Sequence, residues 1–184
     1  MQYIRGGALP WGGAQLNRGN TTFGVPLPAA PESFPGALLV GARFELDDGS
    51  SYAVTTAPLD SSSSDLHFDI PSSPFIRSPA QNAVGVGTTP SIAFDEVQGA
   101  SAYAVVVLSG RTAWSIVGAG SPIQIPDLSP FGLGLQPSGT VHVAVIAIFG
   151  ESFDDLVAGA PLGSSDTPVP GVSARSSTLL VFTP

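Results

Sequence analysis

The chain has no cysteine and no lysine, and its six basic residues are all arginine. Without cysteine, neither a disulfide framework nor thiolate chemistry is available. The 14 acidic residues leave a net charge of −8. Nucleic-acid binding needs a basic footprint, which is missing, and an anionic membrane surface would repel this chain. We therefore expect no nucleic-acid partner.

Long apolar runs are also missing. No segment of about 20 apolar residues could span a bilayer, so we expect no membrane insertion. The opening residues MQYIRGGALPW lack the apolar core of a secretion signal. Either the chain is cytoplasmic, or its export signal lies outside this sequence. The last residues, Val181 to Pro184, look like a strand that ends the chain abruptly, which favours a piece of an exported protein. We expect an extracellular or cell-surface location.

Glycine and proline, by contrast, are abundant, with 22 and 18 residues. The apolar fraction of 43% is too high for a disordered chain. Together these features indicate many short strands joined by tight turns. No stretch keeps helical periodicity over three turns. The sequence therefore predicts an all-β protein built from antiparallel β-sandwiches.

The clearest local structure in the first half is a hairpin. Apolar and charged residues alternate up to Leu46, Asp47-Asp48-Gly49 supplies turn chemistry, and alternation resumes at Tyr52. From Pro71 to Gly87 the sequence is rich in proline, serine and glycine, with little periodicity. A domain boundary there predicts an antiparallel β domain of unassigned family at residues 1–80 and a second sandwich at residues 81–184.

The second half carries a specific residue order. Ile92 and Phe94 suit the core positions of a strand, and Tyr103, Val105 and Val107 suit those of the next strand. The sequence Leu135-Gln136-Pro137-Ser138-Gly139-Thr140-Val141-His142 follows the pattern L-x-P-x-G-T-x-Y, with His142 in place of the tyrosine. These features resemble a fibronectin type III domain, an immunoglobulin-like β-sandwich, although Phe94 replaces its usual tryptophan. The resemblance implies a spacer, adhesion module or binding scaffold.

The strands of this half are apolar on both faces. We predict that Tyr103, Val105 and Val107 point inward together with His142, Ala144, Ile146 and Ile148. A second set is then predicted to face outward as a contact surface: Val106, Leu108, Val141, Val143, Val145 and Leu180. Such a patch exceeds what monomers usually leave exposed. It is covered by the first half, enclosed in one larger merged sandwich, or covered by a neighbouring copy of the chain.

Catalytic constellations are hard to find. The two histidines lie in different halves, and no G-x-S-x-G elbow occurs. Asp65, His67 and Asp69 alternate along one predicted strand and are weak candidates for metal ligands, and the polar face of an amphipathic strand is the favoured explanation for them. We expect neither a cofactor nor enzymatic activity.

The sequence thus favours a non-enzymatic extracellular structural or adhesion module, or an assembly subunit, that acts through an apolar sheet face. Its expected partners are copies of itself or other surface proteins. The alternative is a carbohydrate-binding accessory module that stacks polysaccharide on exposed aromatic rings, with Trp11 and Trp114 as candidates.

Overall fold

The computed structural model describes residues 2–4, 37–39, 41–56, 68–110, 112–150, 152–154 and 171–184. Its strands are β1 (Gln2–Ile4), β2 (Ala37–Leu39), β3 (Gly41–Glu45), β4 (Ser51–Thr55), β5 (Phe75–Ser78), β6 (Ser91–Asp95), β7 (Ala102–Ser109), β8 (Thr112–Gly118), β9 (Ile123–Gln124), β10 (Val141–Phe149), β11 (Ser173–Ser176) and β12 (Leu180–Phe182). One turn of 3₁₀ helix, Ser129–Phe131, lies between β9 and β10. The predicted all-β fold is confirmed.

Two antiparallel sheets form the sandwich. The larger sheet has seven strands in the order β3-β4-β11-β10-β7-β8, and β12 pairs with β10 beside β11. The smaller sheet has the order β5-β6-β9. A separate antiparallel pair joins β1 to β2. The predicted neighbours β7, β10 and β12 do lie side by side, because β10 pairs with both of the others.

The main hydrophobic core lies between the two sheets. The smaller sheet contributes Ile92, Phe94 and Ile123, and the larger sheet contributes side chains from β7, β10 and β12. Those of the larger sheet are Tyr103, Val105, Val107, Val141, Val143, Val145, Ala147, Leu180 and Phe182. Most of them are completely shielded from solvent. Burial of this apolar area is the main favourable contribution to folding.

Strands β11 and β12 both pair with β10 but are separated by a short interruption. Ser177 supplies hydrogen bonds to β10 at this interruption. Its backbone N–H donates to the Val145 carbonyl at 2.7 Å. Its hydroxyl accepts a hydrogen bond from the Val145 N–H at 2.9 Å and donates one to the Thr178 carbonyl at 2.8 Å. The chain can therefore change direction here without leaving the Val145 peptide groups unpaired, which would be costly in a buried position.

The predicted hairpin is confirmed as β3 and β4, with Phe44 opposite Tyr52. Gly49 occupies the turn with a φ of +80°, a conformation that glycine adopts without strain. The hairpin does not stand alone, because β4 pairs with β11 and so extends the larger sheet. In the smaller sheet, β5 pairs with β6. Strands from both sides of the boundary expected at residues 80 and 81 therefore share both sheets.

The face assignment made from the sequence is wrong for β10 and β12. Val143 lies opposite Val107, and Val145 lies opposite Val105, so these pairs point to the same side of the sheet. Val141, Val143 and Val145 are fully buried in the core, and Leu180 is 6% exposed. The other two predicted contact residues, Val106 and Leu108, do point away from the core. A strand that is apolar on both faces has no sequence pattern that shows which face is turned toward the core. A shift of one residue in the pairing moves every side chain to the opposite face of the sheet.

Candidate functional site

The side of the larger sheet that faces away from the core is also apolar, and we call it the outer face. It is defined by alternate residues of three adjacent strands. They are Ala102, Ala104, Val106 and Leu108 on β7, His142, Ala144, Ile146 and Ile148 on β10, and Ala113, Ser115 and Val117 on β8. None of these side chains carries a permanent charge. The register of the strands holds them in rows across the sheet.

One half of the outer face is covered within the chain. Ala102, Ala104 and Ile148 form a second buried cluster, against which Phe153 and Val172 pack. Phe153 follows β10, and Val172 directly precedes β11, so chain segments at this end of the sheet supply the cover. This half is therefore a small second core of the fold.

The other half of the outer face is open. Leu108, the penultimate residue of β7, is 43% exposed. Its neighbours Val106 and Ala144 are half-buried, and Ala113 is exposed. Within the described residues, β3 and β4 extend the sheet sideways and β5 belongs to the facing sheet, so these strands do not cover it. The open half is the candidate contact surface.

This surface reaches the free edge of the sheet at β8. That strand pairs with β7 over seven residue pairs without a bulge, from Tyr103 opposite Gly118 to Ser109 opposite Thr112. On its other side, no strand of the described part of the chain pairs with it. A free edge presents unpaired N–H and C=O groups that can accept another strand. The edge therefore adds backbone hydrogen-bonding groups to an apolar surface.

Among the residues that the structure describes, one charged side chain is buried, that of Arg175, which is 6% exposed. It lies opposite Ala147 in the register and therefore on the core side of the sheet. Its Nε donates to the Pro71 carbonyl at 3.1 Å, while its Nη1 is buried without a hydrogen-bond partner among the described residues. Burial lowers the pKa of Arg175, and the charge of Asp48 opposes this shift. The guanidinium thus ties residue 71 to the sheet and is shielded from ligands in solvent.

The candidate metal ligands are not brought together in the described part of the structure. Asp65 and His67 lie outside the described residues, and Asp69 is exposed. No cluster of three histidine, aspartate or glutamate side chains that could hold a metal ion occurs in the described ranges. At the hairpin turn, the Asp48 carboxylate accepts hydrogen bonds from the Ser50 N–H at 2.9 Å and from the Ser50 hydroxyl. These bonds lower the pKa of Asp48 and fix the turn.

The aromatic residues proposed for sugar stacking have different outcomes. Trp11 lies outside the described residues. Trp114 is half-buried and packs against the main core, with its Nε1 atom buried. Tyr52 and Tyr103 are buried. Trp114 therefore serves in packing rather than as an open platform, and the carbohydrate-binding alternative stays a prediction that depends on Trp11.

The free edge of β8 was missed in the sequence. The sequence Thr112–Gly118 contains no proline and no charged residue. Natural proteins commonly protect their sheet edges with residues of these two kinds. Their absence is equally typical of an inner strand, so pairing information was needed to recognise an edge.

Comparison with protein-family models, with curated proteins and with solved structures gave no match. No helix among the described residues is long and apolar enough to cross a membrane.

Proposed function

We propose that this protein is a non-enzymatic structural or adhesion module, located outside the cell or on its surface, that acts through the open half of its outer face. Leu108 carries the proposal, because it is 43% exposed on a sheet face without charged residues. In the register it lies between half-buried His142 on β10 and exposed Ala113 on β8, and half-buried Val106 lies two residues away along β7. An apolar surface of this kind is typical of a site that binds another protein or another copy.

The fibronectin type III resemblance supports the same proposal. Strands β7, β10 and β12 are neighbours, which is the arrangement that the resemblance implies. The smaller sheet, β5-β6-β9, packs across a shared core. A fold of this type supplies a rigid spacer or scaffold whose function depends on its surface. The hairpin β3–β4 widens the sheet and leaves the open half accessible.

The test is the solution mass of the purified protein as a function of concentration, together with retention on a mildly hydrophobic matrix. We expect the wild type to associate reversibly and to be retained. Leu108→Asp should reduce both properties and should lower the free energy of unfolding by only about 1 kcal/mol, so that the variant stays folded. Leu133→Asp is the matched control, because Leu133 is 47% exposed but lies in the loop between β9 and β10.

Two outcomes would overturn the proposal. If Leu108→Asp and Leu133→Asp reduce association and retention equally, general hydrophobicity explains the behaviour and the outer face has no special role. If the wild type stays monomeric at every concentration and is not retained, the outer face makes no contacts.

A further inference from the structure

We propose that the free edge of β8 pairs in antiparallel fashion with β8 of a second copy, about a twofold axis that passes beside Ser115. This inference rests on the proposed function, which it deepens by naming the partner. The pairing would join two larger sheets into one continuous sheet. It would also place the open halves of the two outer faces side by side.

The edge of β8 is regular and unprotected. Strand β8 has seven residues, and its register with β7 is unbroken. Natural edge strands are commonly guarded by charged side chains, prolines, bulges or short length. The described residues of β8 carry none of these devices. A regular edge without protection is suited to accept another strand by backbone hydrogen bonding.

Strand β8 is also complementary to itself about Ser115. An antiparallel pair with twofold symmetry places one residue opposite itself. With Ser115 at the axis, all seven residues find partners, whereas an axis at Trp114 or Ile116 leaves residues unpaired. Trp114 then lies opposite Ile116 of the second copy, and Ala113 lies opposite Val117. Aromatic residues paired with β-branched residues are among the favourable cross-strand pairs.

The core-facing side chains of β8 lie at the rim of the main core. Trp114 and Ile116 pack against the core but are only half-buried, because no strand lies beyond β8 in the described structure. In the proposed dimer, Ile116 of the second copy would cover Trp114, and Trp114 of the second copy would cover Ile116. On the outer side, Ser115 separates Val106 of one copy from Val106 of the other. The association would therefore extend the apolar surfaces on both sides of the sheet.

Charge and size define the kind of dimer expected. Each copy carries a net charge of −8, so two copies repel each other at low ionic strength, and salt screens that repulsion. Added salt should therefore strengthen the association, whereas an interface held by ion pairs would weaken. A standard stable interface uses about 20–30 residues on each side, which is more than one strand supplies. We expect a weak, reversible dimer.

Single-cysteine variants test the register directly, because the chain has no other cysteine. Residues that face each other across paired strands have Cβ atoms about 4.5–5.5 Å apart, close to the range that a disulfide bridges. Ser115→Cys should therefore form a covalent dimer under mild oxidation. Ala113→Cys is the matched control on the same exposed face. Its two copies would lie four residues apart along the strand, about 13 Å, which no disulfide spans.

A charge at the axis provides a second, independent test. Ser115→Glu places two carboxylates opposite each other and should abolish dimerisation in sedimentation measurements, while its unfolding midpoint should match that of the wild type at concentrations where the wild type is monomeric. Ser91→Glu, at an exposed serine of β6, is the control and should associate like the wild type. Selective cross-linking of Ser115→Cys together with the loss caused by Ser115→Glu supports the pairing.

The contradicting results separate this inference from the proposed function. If Ser115→Cys and Ala113→Cys cross-link equally, or neither does, the β8 pairing is wrong. If Leu108→Asp also abolishes association in that case, the outer face still makes contacts, and the proposed function stands without the edge. If the wild type neither associates nor binds the hydrophobic matrix, both proposals fail. A dimer that dissociates when salt is added would also contradict an interface formed by the uncharged edge of β8.

Discussion

The two sheets of the sandwich differ on their solvent sides. In β6, Ile92 and Phe94 enter the core, while Ser91 and Asp95 are exposed. This is the ordinary pattern of a half-buried antiparallel strand. In β7, by contrast, every residue from Ala102 to Leu108 is apolar, and the exposed one is Leu108. The solvent side of the smaller sheet carries polar and charged groups together with Phe75, whose exposed ring lies under the Arg77 guanidinium, whereas the outer face of the larger sheet carries no charged residue.

The two halves of the outer face also differ in their exposure to solvent. Ala104 and Ile148 are as well buried as core residues, because Phe153 and Val172 lie over them. Val106 and Leu108 continue the same rows without such cover from the described part of the chain. The chemistry of the side chains is alike in both halves, so the difference comes from what the topology places above them. The open half is therefore the part of the sheet that another molecule could complete.

The largest expected effect comes from a pair of neighbouring substitutions that separate the two sides of the larger sheet. Val143 is fully buried in the main core, while Ala144 points to the outer face. Val143→Asp places an unpaired carboxylate among apolar side chains and should lower the free energy of unfolding by about 4 kcal/mol or more. Ala144→Asp should cost about 1 kcal/mol or less. Urea unfolding followed by circular dichroism measures both.

The same pair of variants can contradict the face assignment. If Ala144→Asp unfolds the protein and Val143→Asp is tolerated, the register between β7 and β10 is displaced by one residue. Equal and severe losses would show that the outer face is covered there as fully as the core. The solution mass of Ala144→Asp, measured on the same samples, would then show whether a second copy provides that cover.

A smaller effect is expected at the Tyr103 hydroxyl, on the core side of β7. The Tyr103 hydroxyl accepts a hydrogen bond from the Val97 N–H at 2.7 Å and donates one to the Val97 carbonyl at 3.3 Å. Tyr103→Phe leaves both groups without their partner and should cost about 1–3 kcal/mol. Tyr52→Phe makes the same chemical change in the hairpin and serves as the comparison. A loss at Tyr103 no greater than that at Tyr52 would contradict this role.

The pH dependence gives a second measurement on the same variant. Burial raises the pKa of Tyr103, with the hydrogen bond from Val97 opposing the shift. The stability linked to this hydroxyl is therefore fully present below the ordinary value of 10.0 and is lost as the pH rises toward the raised pKa. The unfolded chain ionises first. Tyr103→Phe should lose less stability than the wild type above that pH.

The sequence was informative where local chemistry decides the structure. Turn residues at Asp47-Asp48-Gly49 and clean alternation around Phe44 correctly predicted the hairpin. The abundance of glycine and proline among apolar residues correctly predicted an all-β chain. Tyr103, Val105 and Val107, placed inward because they suit the core positions of a fibronectin type III strand, do lie in the core.

The sequence was uninformative where distant segments decide the structure. Nothing in the residues of β4 indicates that it pairs with β11, more than 100 positions further along the chain. The apolar run from Val141 to Ile148 has no polar side, so its inward set was reversed. The free edge of β8 is likewise a property of strand order. These features depend on pairing over long distances, which local patterns do not encode.

The smallest expected effect lies on the polar side of the sandwich. Arg77 on β5 and Asp95 on β6 form an ion pair, with Nε donating to Oδ1 at 2.9 Å and Nη2 to Oδ2 at 2.5 Å. The hydrogen bonds from Arg77 lower the pKa of Asp95, and the arginine's charge adds to this. The linked stability is therefore present above the ordinary value of 3.8 and is lost as the pH falls through the lowered pKa.

Because both side chains are at least half exposed, at 61% and 50%, solvent and salt weaken their attraction. Asp95→Asn should therefore shift the unfolding midpoint only slightly at neutral pH, and the difference from the wild type should vanish in acid or in high salt. A cycle with Arg77→Gln and the double variant isolates the coupling between the two residues. A large coupling that persists in high salt would show that this face is shielded from water. The contrast between a polar and an apolar outer side would then be lost.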